Sequence, residues 1–152
     1  MALTKKLLNS LKSSFLKKSN NKSSNLQALK RLKEIHNYDY ITFVANKYRE
    51  KEITVWEYSK ERNLVNHPLN LVIKKERDIL LIQCRSNIKK VTLENLIEFE
   101  NIGAEFIAQH PPFKRYNILY LYICSENRFN NRALKYIENN NHISYKILKE
   151  HD

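Results

Sequence analysis

The sequence predicts an α/β protein in which a mixed central sheet is flanked by helices and preceded by an N-terminal helical arm. Segments with apolar residues at helical spacing alternate with short runs rich in β-branched and aromatic residues, which are typical of strands. The apolar run 117–124, NILYLYIC, is typical of a strand buried on both faces. With 152 residues, the chain is long enough for one domain with a modest core in addition to the arm.

The predicted arm comprises residues 1–36 and the predicted domain residues 37–152. Residues 1–33 hold nine of the 27 lysines and arginines and none of the 16 acidic residues, so residues 34–152 carry 18 basic and 16 acidic side chains. Most of the net charge of +11 therefore belongs to the arm. This distribution favours an anionic partner for the arm. The alternative is a solvated tail whose lysines reflect an AT-rich genome.

Two amphipathic helices are predicted within the arm, separated by a polar linker near residues 19–25. The first has an apolar stripe at helical spacing, flanked by Lys5, Lys6, Lys12, Lys17 and Lys18. A basic amphipathic helix suits nucleic-acid phosphates, an anionic membrane surface or a groove in a partner protein. The same stripe could instead pack on the domain or on a second copy of the chain.

Eight elements are predicted after the arm, in the order α-β-β-β-α-β-α-β. Their ranges are 38–51, 53–59, 69–75, 79–84, 91–109, 117–124, 130–140 and 142–149. A charged hairpin tip joins the second and third strands. Thr92 is expected to cap the long helix, and Pro111 and Pro112 to end it.

The composition excludes several classes of site. The single glycine, Gly103, lies within a helical pattern, which excludes a Gly-rich phosphate loop. Cys84 and Cys124 lie in apolar runs without a CxxC partner, so we expect reduced structural thiols and a cytoplasmic location. The histidines lack the spacing of zinc ligands. Because the chain has no run of about 18 apolar residues, no transmembrane helix is expected.

Three polar residues lie within the otherwise apolar stretch LNLVIKKERDILLIQCR, residues 69–85. Strand alternation places Gln83 and Arg85 on one face of the third strand, with Asn70 on the neighbouring strand. Cys84 is expected to point to the opposite face. Polar side chains that meet on core strands either form a functional site or only satisfy one another's hydrogen bonds.

The element order and these residues together resemble the Mrr-type restriction endonucleases of the PD-(D/E)XK superfamily. That type carries Asp in a Gly-Val/Ile-Asp-Leu context on the second strand and Gln-x-Lys on the third. Here Leu69-Asn70-Leu71-Val72 occupies the first position and Gln83-Cys84-Arg85 the second, 13 residues further on. The resemblance covers about residues 38–149. It implies a restriction-endonuclease-like core, duplex DNA as partner, Mg²⁺ if the site is active, and in many relatives a homodimer.

Asn70 and Arg85 depart from the pattern of that type, which has Asp and Lys at these positions. Asn70 lacks the negative charge that holds Mg²⁺, and Arg85 cannot transfer a proton, although it could still bind phosphate. We therefore expect a DNA-binding protein that is catalytically impaired or inactive. One alternative is an active endonuclease that binds Mg²⁺ through Asn70, Gln83 and relocated carboxylates such as Glu57. Another is a protein-interaction or membrane-surface module that uses the arm.

Further residues are candidates for these roles. Glu94 and Glu98, one turn apart on the long helix, are additional candidates for relocated acids. Besides Arg85 and the arm lysines, the nucleic-acid-binding candidates are Lys89, Lys90, Arg128 and Arg132. The two arginines lie near the start of the helix 130–140, where backbone N–H groups also favour phosphate.

Overall fold

The computed structural model describes residues 22–64, 66–86 and 90–150. The predicted basic N-terminal helix, with Lys5, Lys6, Lys12, Lys17 and Lys18, lies outside the described residues, as does Lys89. The elements in chain order are α1 (Lys22–Arg49), β1 (Val55–Trp56), α2 (Tyr58–Glu61), β2 (Leu71–Lys75), β3 (Asp78–Arg85), α3 (Leu93–Gln109), a 3₁₀ helix (Pro111–Arg115), β4 (Asn117–Cys124), α4 (Asn131–Glu138) and β5 (Ile143–Ile147).

The strands form one mixed sheet in the order β1-β2-β3-β4-β5. β1, β2 and β3 pair antiparallel as a meander, whereas β3, β4 and β5 pair parallel. α3 lies in the connection from β3 to β4, and α4 in the connection from β4 to β5. The predicted α/β class, with a mixed sheet flanked by helices, is confirmed.

Alternation along β3 divides the core into two layers. Ile79 and Leu81 pack with Phe99 and other residues of α3 on one face of the sheet. Ile82 and Cys84 pack on the other face, in the layer that contains Val44 and its neighbours on α1. Cys84 therefore points away from the face of Gln83 and Arg85, as expected.

The helix α1 is longer than the sequence predicted. It runs unbroken through residues 22–25, where a linker was expected, and through the expected domain boundary after residue 36. No glycine or proline interrupts residues 22–49, and serine and asparagine are tolerated in a first turn. Asn37 is buried, and its Oδ1 accepts a hydrogen bond from the Ser86 N–H at 3.2 Å. A tertiary contact thus holds the middle of α1 where the boundary was predicted.

The first strand is shorter than predicted, because residues 58–61 form the helical turn α2. Tyr58 packs edge-on against Trp56, with ring centroids 5.2 Å apart, and edge-on against Phe106 at 5.0 Å. The turn also buries Ser59. Tertiary packing of this aromatic cluster outweighs the β-propensity of residues 57–59.

Gly103 lies on the side of α3 that packs directly against the sheet. A methyl group at this position would overlap the Tyr120 ring and lie 2.9 Å from a Leu81 methyl carbon. The Tyr120 hydroxyl donates a hydrogen bond to the Glu100 carbonyl, one turn earlier on the same helix, at 3.2 Å. The single glycine of the chain therefore permits close helix–sheet packing and forms no loop.

Candidate functional site

Asn70 is a structural residue whose hydrogen-bonding groups are all engaged. It is 2% exposed, and its Nδ2 donates to Ser59 Oγ at 3.0 Å and to the His67 carbonyl at 3.1 Å. Its Oδ1 accepts from the backbone N–H of Cys84 at 2.8 Å. The side chain thereby joins the turn α2, the segment before β2 and the end of β3. The Asn70 side chain therefore hydrogen-bonds to these three segments and not to the side chains of Gln83 or Arg85.

Gln83 and Arg85 do pair with each other. With the Gln83 amide oriented so that its oxygen faces the guanidinium, this oxygen accepts from Arg85 Nε at 2.9 Å and from a terminal nitrogen at 3.1 Å. Gln83 is 4% exposed and Arg85 half-buried. Two residues apart on β3, they share a face with Ile79 and Leu81, on the side of the sheet that α3 covers.

Tyr122 completes the surroundings of the Arg85 guanidinium. It lies beside Gln83 in the parallel pairing of β3 with β4, and Arg85 hydrogen-bonds its side chain. Burial raises the pKa of the Tyr122 hydroxyl above its ordinary value, although the positive charge of Arg85 opposes this shift. The Asn66 carbonyl accepts a further, longer hydrogen bond from Arg85 at 3.4 Å. All of these partners are uncharged near neutral pH.

Within the part of the chain that the structure describes, Arg85 forms no ion pair with a carboxylate. The arginines that do form ion pairs there are paired with Glu57, Glu94 and Glu126. The guanidinium is a fixed, half-buried positive charge at the end of β3. Held this way, it is suited to an anionic group from outside the chain.

The motif residues do not fit a magnesium ion. Mg²⁺ requires oxygen ligands and is usually held by at least one carboxylate. The Asn70 oxygen is occupied by the Cys84 N–H, and the Gln83 oxygen faces the cationic Arg85. Among the described residues, no group of three or more His, Cys, Asp or Glu side chains could hold a metal ion.

Glu57, the first candidate for a relocated acid, contacts α1. Its carboxylate lies 3.0 Å from a guanidinium nitrogen of Arg49 and accepts from Thr42 Oγ1 at 3.4 Å. Lys60 Nζ donates to the same threonine at 2.9 Å. This cluster ties α2 to α1, whereas Gln83 and Arg85 lie in the layer of α3.

The two acids of α3 differ in their surroundings. Glu94 is exposed and lies 3.6 Å from Arg132, in an ion pair between the first turns of α3 and α4. Glu98 is also exposed, and its negative charge raises the pKa of the Tyr122 hydroxyl. Glu98 is therefore an acid on α3 whose charge acts on the surroundings of Arg85.

Lys90, Arg128 and Arg132 lie in segments that meet at the carboxyl end of β3 and β4. The Val91 N–H donates to the Arg128 carbonyl at 2.9 Å, and the Ser125 N–H to the Arg85 carbonyl at 3.2 Å. Lys90, Arg128 and Arg132 are exposed, but Arg128 is paired with Glu126 at 2.6 Å. The backbone thus joins the predicted basic segments, and acidic neighbours offset part of their charge.

Sequence reasoning missed Ser59, His67 and Tyr122 as partners of the motif. Tyr122 had a usable signal, because a tyrosine in a strand buried on both faces needs a partner for its hydroxyl. Ser59 and His67 had no such signal. Their positions depend on α2 and on the loop before β2, and neither follows from periodicity.

Comparison with known proteins identifies no relative of this chain. No family model, no curated protein and no solved structure matches the chain. Across residues 22–64, 66–86 and 90–150, no helix is long and apolar enough to cross a membrane.

Proposed function

We propose that this chain is a DNA-binding protein with a restriction-endonuclease-like core that does not cleave DNA. The element order supports this core, because α1 is followed by a three-strand meander, α3, β4, α4 and β5. This is the order that the resemblance to PD-(D/E)XK nucleases implies. The register also supports it, because Leu71 pairs with Ile82 and so brings Asn70 beside Gln83.

The observation that carries the proposal is the unneutralised guanidinium of Arg85. Neutral partners fix its orientation, namely the Gln83 amide, the Tyr122 side chain and the Asn66 carbonyl. A phosphate would supply the missing negative charge and could accept hydrogen bonds from guanidinium N–H groups that these contacts do not use. Lys90, on the segment after β3, would add a second phosphate contact.

We propose that the chain does not cleave DNA because of the residue at position 70, Asn70. A hydrolytic site of this plan needs an oxygen with negative charge to bind the metal that activates water. Asn70 is neutral and buried, and its oxygen is already hydrogen-bonded to the backbone. We therefore propose no role in hydrolysis for Asn70, Gln83 or Arg85.

The test is the salt dependence of binding to a 20-base-pair duplex, measured by fluorescence anisotropy on the full chain. Arg85→Gln should reduce the slope of log K against log[KCl] by about 0.9, the value for one phosphate contact. Arg85→Lys keeps the charge and should keep the slope. Lys135→Gln removes an exposed charge on α4 and serves as the control.

Two outcomes would contradict the proposal. One is a slope in Arg85→Gln equal to that of the unchanged chain. The other is duplex binding that is undetectable even at low salt, where phosphate contacts are strongest.

One observation favours a second function, a protein-interaction or membrane-surface module. Leu26 is 69% and Leu29 44% exposed on the N-terminal half of α1, whereas Leu32, one turn later, is buried. An apolar helix surface next to a basic segment suits an anionic membrane. Binding to vesicles of phosphatidylserine and phosphatidylcholine that is lost in Leu26→Gln, Leu29→Gln would support this function. Unchanged vesicle binding in the double variant would contradict it.

A further inference from the structure

A second concentration of positive charge lies on two adjacent elements far from Arg85. We define the hairpin surface as the tip of the β2–β3 hairpin, residues 74–78, and the 3₁₀ helix that follows α3. It contains five basic residues: Lys74, Lys75, Arg77, Lys114 and Arg115. All five are exposed. Within the described ranges, none of them forms an ion pair, since the ion pairs found there involve other residues.

Specific contacts hold the two parts of the hairpin surface together. The Asn117 N–H donates to the Arg77 carbonyl at 2.8 Å, and Asn117 Nδ2 donates to Asp78 Oδ1 at 3.1 Å. Lys74 Nζ lies 4.8 Å from the centre of the Tyr116 ring, a cation–π contact. The basic residues are therefore presented by a fixed backbone, although their side-chain ends remain in solvent.

The hairpin surface accounts for the positive charge of the whole domain. It holds five basic and two acidic residues, Glu76 and Asp78, a net charge of +3. Residues 37–152, the predicted domain, carry 18 basic and 15 acidic residues, a net charge of +3. The remainder of the domain is thus neutral, and a lysine-rich composition alone would not place the excess at one end of the sheet.

This surface lies at the opposite end of the sheet from Arg85. Asp78 pairs with Asn117 at the start of β3 and β4, and Arg85 pairs with Cys124 at their end. At roughly 3.3 Å per residue, the two ends are about 23 Å apart. The motif therefore does not explain why the charge collects here.

We propose that the hairpin surface is a separate binding site for the phosphate backbone of duplex nucleic acid. Cations on two neighbouring elements can contact several phosphates at once, and Arg and Lys are the residues that make such contacts. The exposed large apolar side chains of the described residues are Leu26, Leu29, Ile97 and Tyr145, none of them on this surface. This favours a polyanion contacted in water over a membrane, which a protein binds by inserting apolar groups.

The inference shares the duplex partner of the proposed function but not its site. It is tested on the full chain with Lys75→Gln, Arg77→Gln, Lys114→Gln, which leaves Lys74 on the Tyr116 ring. The matched control is Lys51→Gln, Lys135→Gln, Lys149→Gln, which removes three exposed charges elsewhere. Circular dichroism and thermal unfolding verify that both variants fold, and anisotropy with a 20-base-pair duplex measures affinity from 0.05 to 0.5 M KCl.

In the hairpin variant, the slope of log K against log[KCl] should decrease in magnitude by up to about 2.7, which is about 0.9 for each lost phosphate contact. Its affinity at about 0.1 M KCl should fall by about 10- to 500-fold relative to the unchanged chain, whereas the control should keep its slope. An equal loss in both variants, or none in the hairpin variant, would overturn the inference.

Two further outcomes separate this inference from the proposed function. Loss in the hairpin variant with no effect of Arg85→Gln would support the hairpin surface and contradict the role of Arg85. A chain that binds phosphatidylserine vesicles but no duplex at any salt concentration would overturn both.

Discussion

The Asn70 side chain accepts a hydrogen bond from the backbone N–H of Cys84 at 2.8 Å, and this contact fixes the start of β2 against the end of β3. The same amide donates to Ser59 and to the His67 carbonyl, so one buried side chain joins three segments. A position that resembles a metal ligand in sequence is therefore a structural cross-link between segments.

Replacing Asn70 by Asp should destabilise the protein. The carboxylate cannot donate to the His67 carbonyl, and a buried group left without its partner costs about 1–3 kcal/mol. The loss should shrink as pH falls towards about 4, because burial favours the protonated carboxyl, which can donate a hydrogen bond. Urea unfolding at pH 7 and pH 3.5 measures both effects. Asn101→Asp, at an exposed position on α3, is the control, and an equal change in the two variants would contradict this role of Asn70.

Gly103→Ala should destabilise the fold by about 1–3 kcal/mol, the usual cost of overpacking. The added methyl group overlaps the Tyr120 ring, which is itself held by a hydrogen bond to Glu100. On helix propensity alone, the same change would stabilise α3 by about 1 kcal/mol. The sign of the shift in thermal unfolding therefore decides between close packing and propensity.

The order of the main helices and strands was predictable from the sequence, but several of the residues at which they begin and end were not. Apolar periodicity predicted β4 at its observed bounds and placed Thr92 correctly as the cap of α3. Periodicity could not show that α1 continues through Asn37, because a contact with Ser86, far along the chain, holds that residue. The turn α2 depends in the same way on the packing of Tyr58 against Phe106.

The candidate site was predicted in part. Alternation correctly brought Gln83 and Arg85 to one face, and the structure joins them by hydrogen bonds. Alternation could not show where the Asn70 amide points, because its partners belong to the irregular segments before β2. The identity of those partners determines whether an asparagine is a ligand or a cross-link.

The two cysteines should be unreactive in the folded protein. Burial raises the pKa of the Cys124 thiol to about 12, and that of the fully buried Cys84 thiol higher still. Because the thiolate is the reactive form, modification by a disulfide reagent at pH 8 should require unfolding. The same chain in guanidinium chloride is the control. A thiol in the native protein that reacts as fast as in the denatured chain would contradict this prediction.

The raised thiol pKa values also predict alkaline destabilisation. The unfolded chain ionises its thiols near their ordinary pKa, about 8.5, whereas the folded chain retains the protons. Between that pH and the folded Cys124 pKa of about 12, the unfolded state therefore binds fewer protons. The free energy of unfolding must then fall as pH rises through this window. Urea unfolding at pH 7.5 and 10 measures the decline, and Cys84→Ala, Cys124→Ala should reduce it.

Glu100 should contribute to stability by connecting α3 to α4 and to the segment before β5. Its carboxylate accepts from the Tyr136 hydroxyl at 2.8 and 2.9 Å and lies 3.0 Å from His142 Nε2. Glu100→Gln keeps an acceptor but loses the charge, so we expect a loss of about 1 kcal/mol. Glu105→Gln, an exposed position on the same helix, is the control. Equal unfolding midpoints of the two variants would contradict this role of Glu100.

The most direct test of the central claim is a gel assay in which supercoiled plasmid is incubated with the unchanged chain and Mg²⁺ or Mn²⁺ at low salt. The proposed function predicts that the plasmid is retarded and, once protein is removed, is still supercoiled. Cleavage that a chelator abolishes would contradict the account by revealing an active metal site. Failure to retard the plasmid at any salt concentration would contradict it by excluding DNA binding.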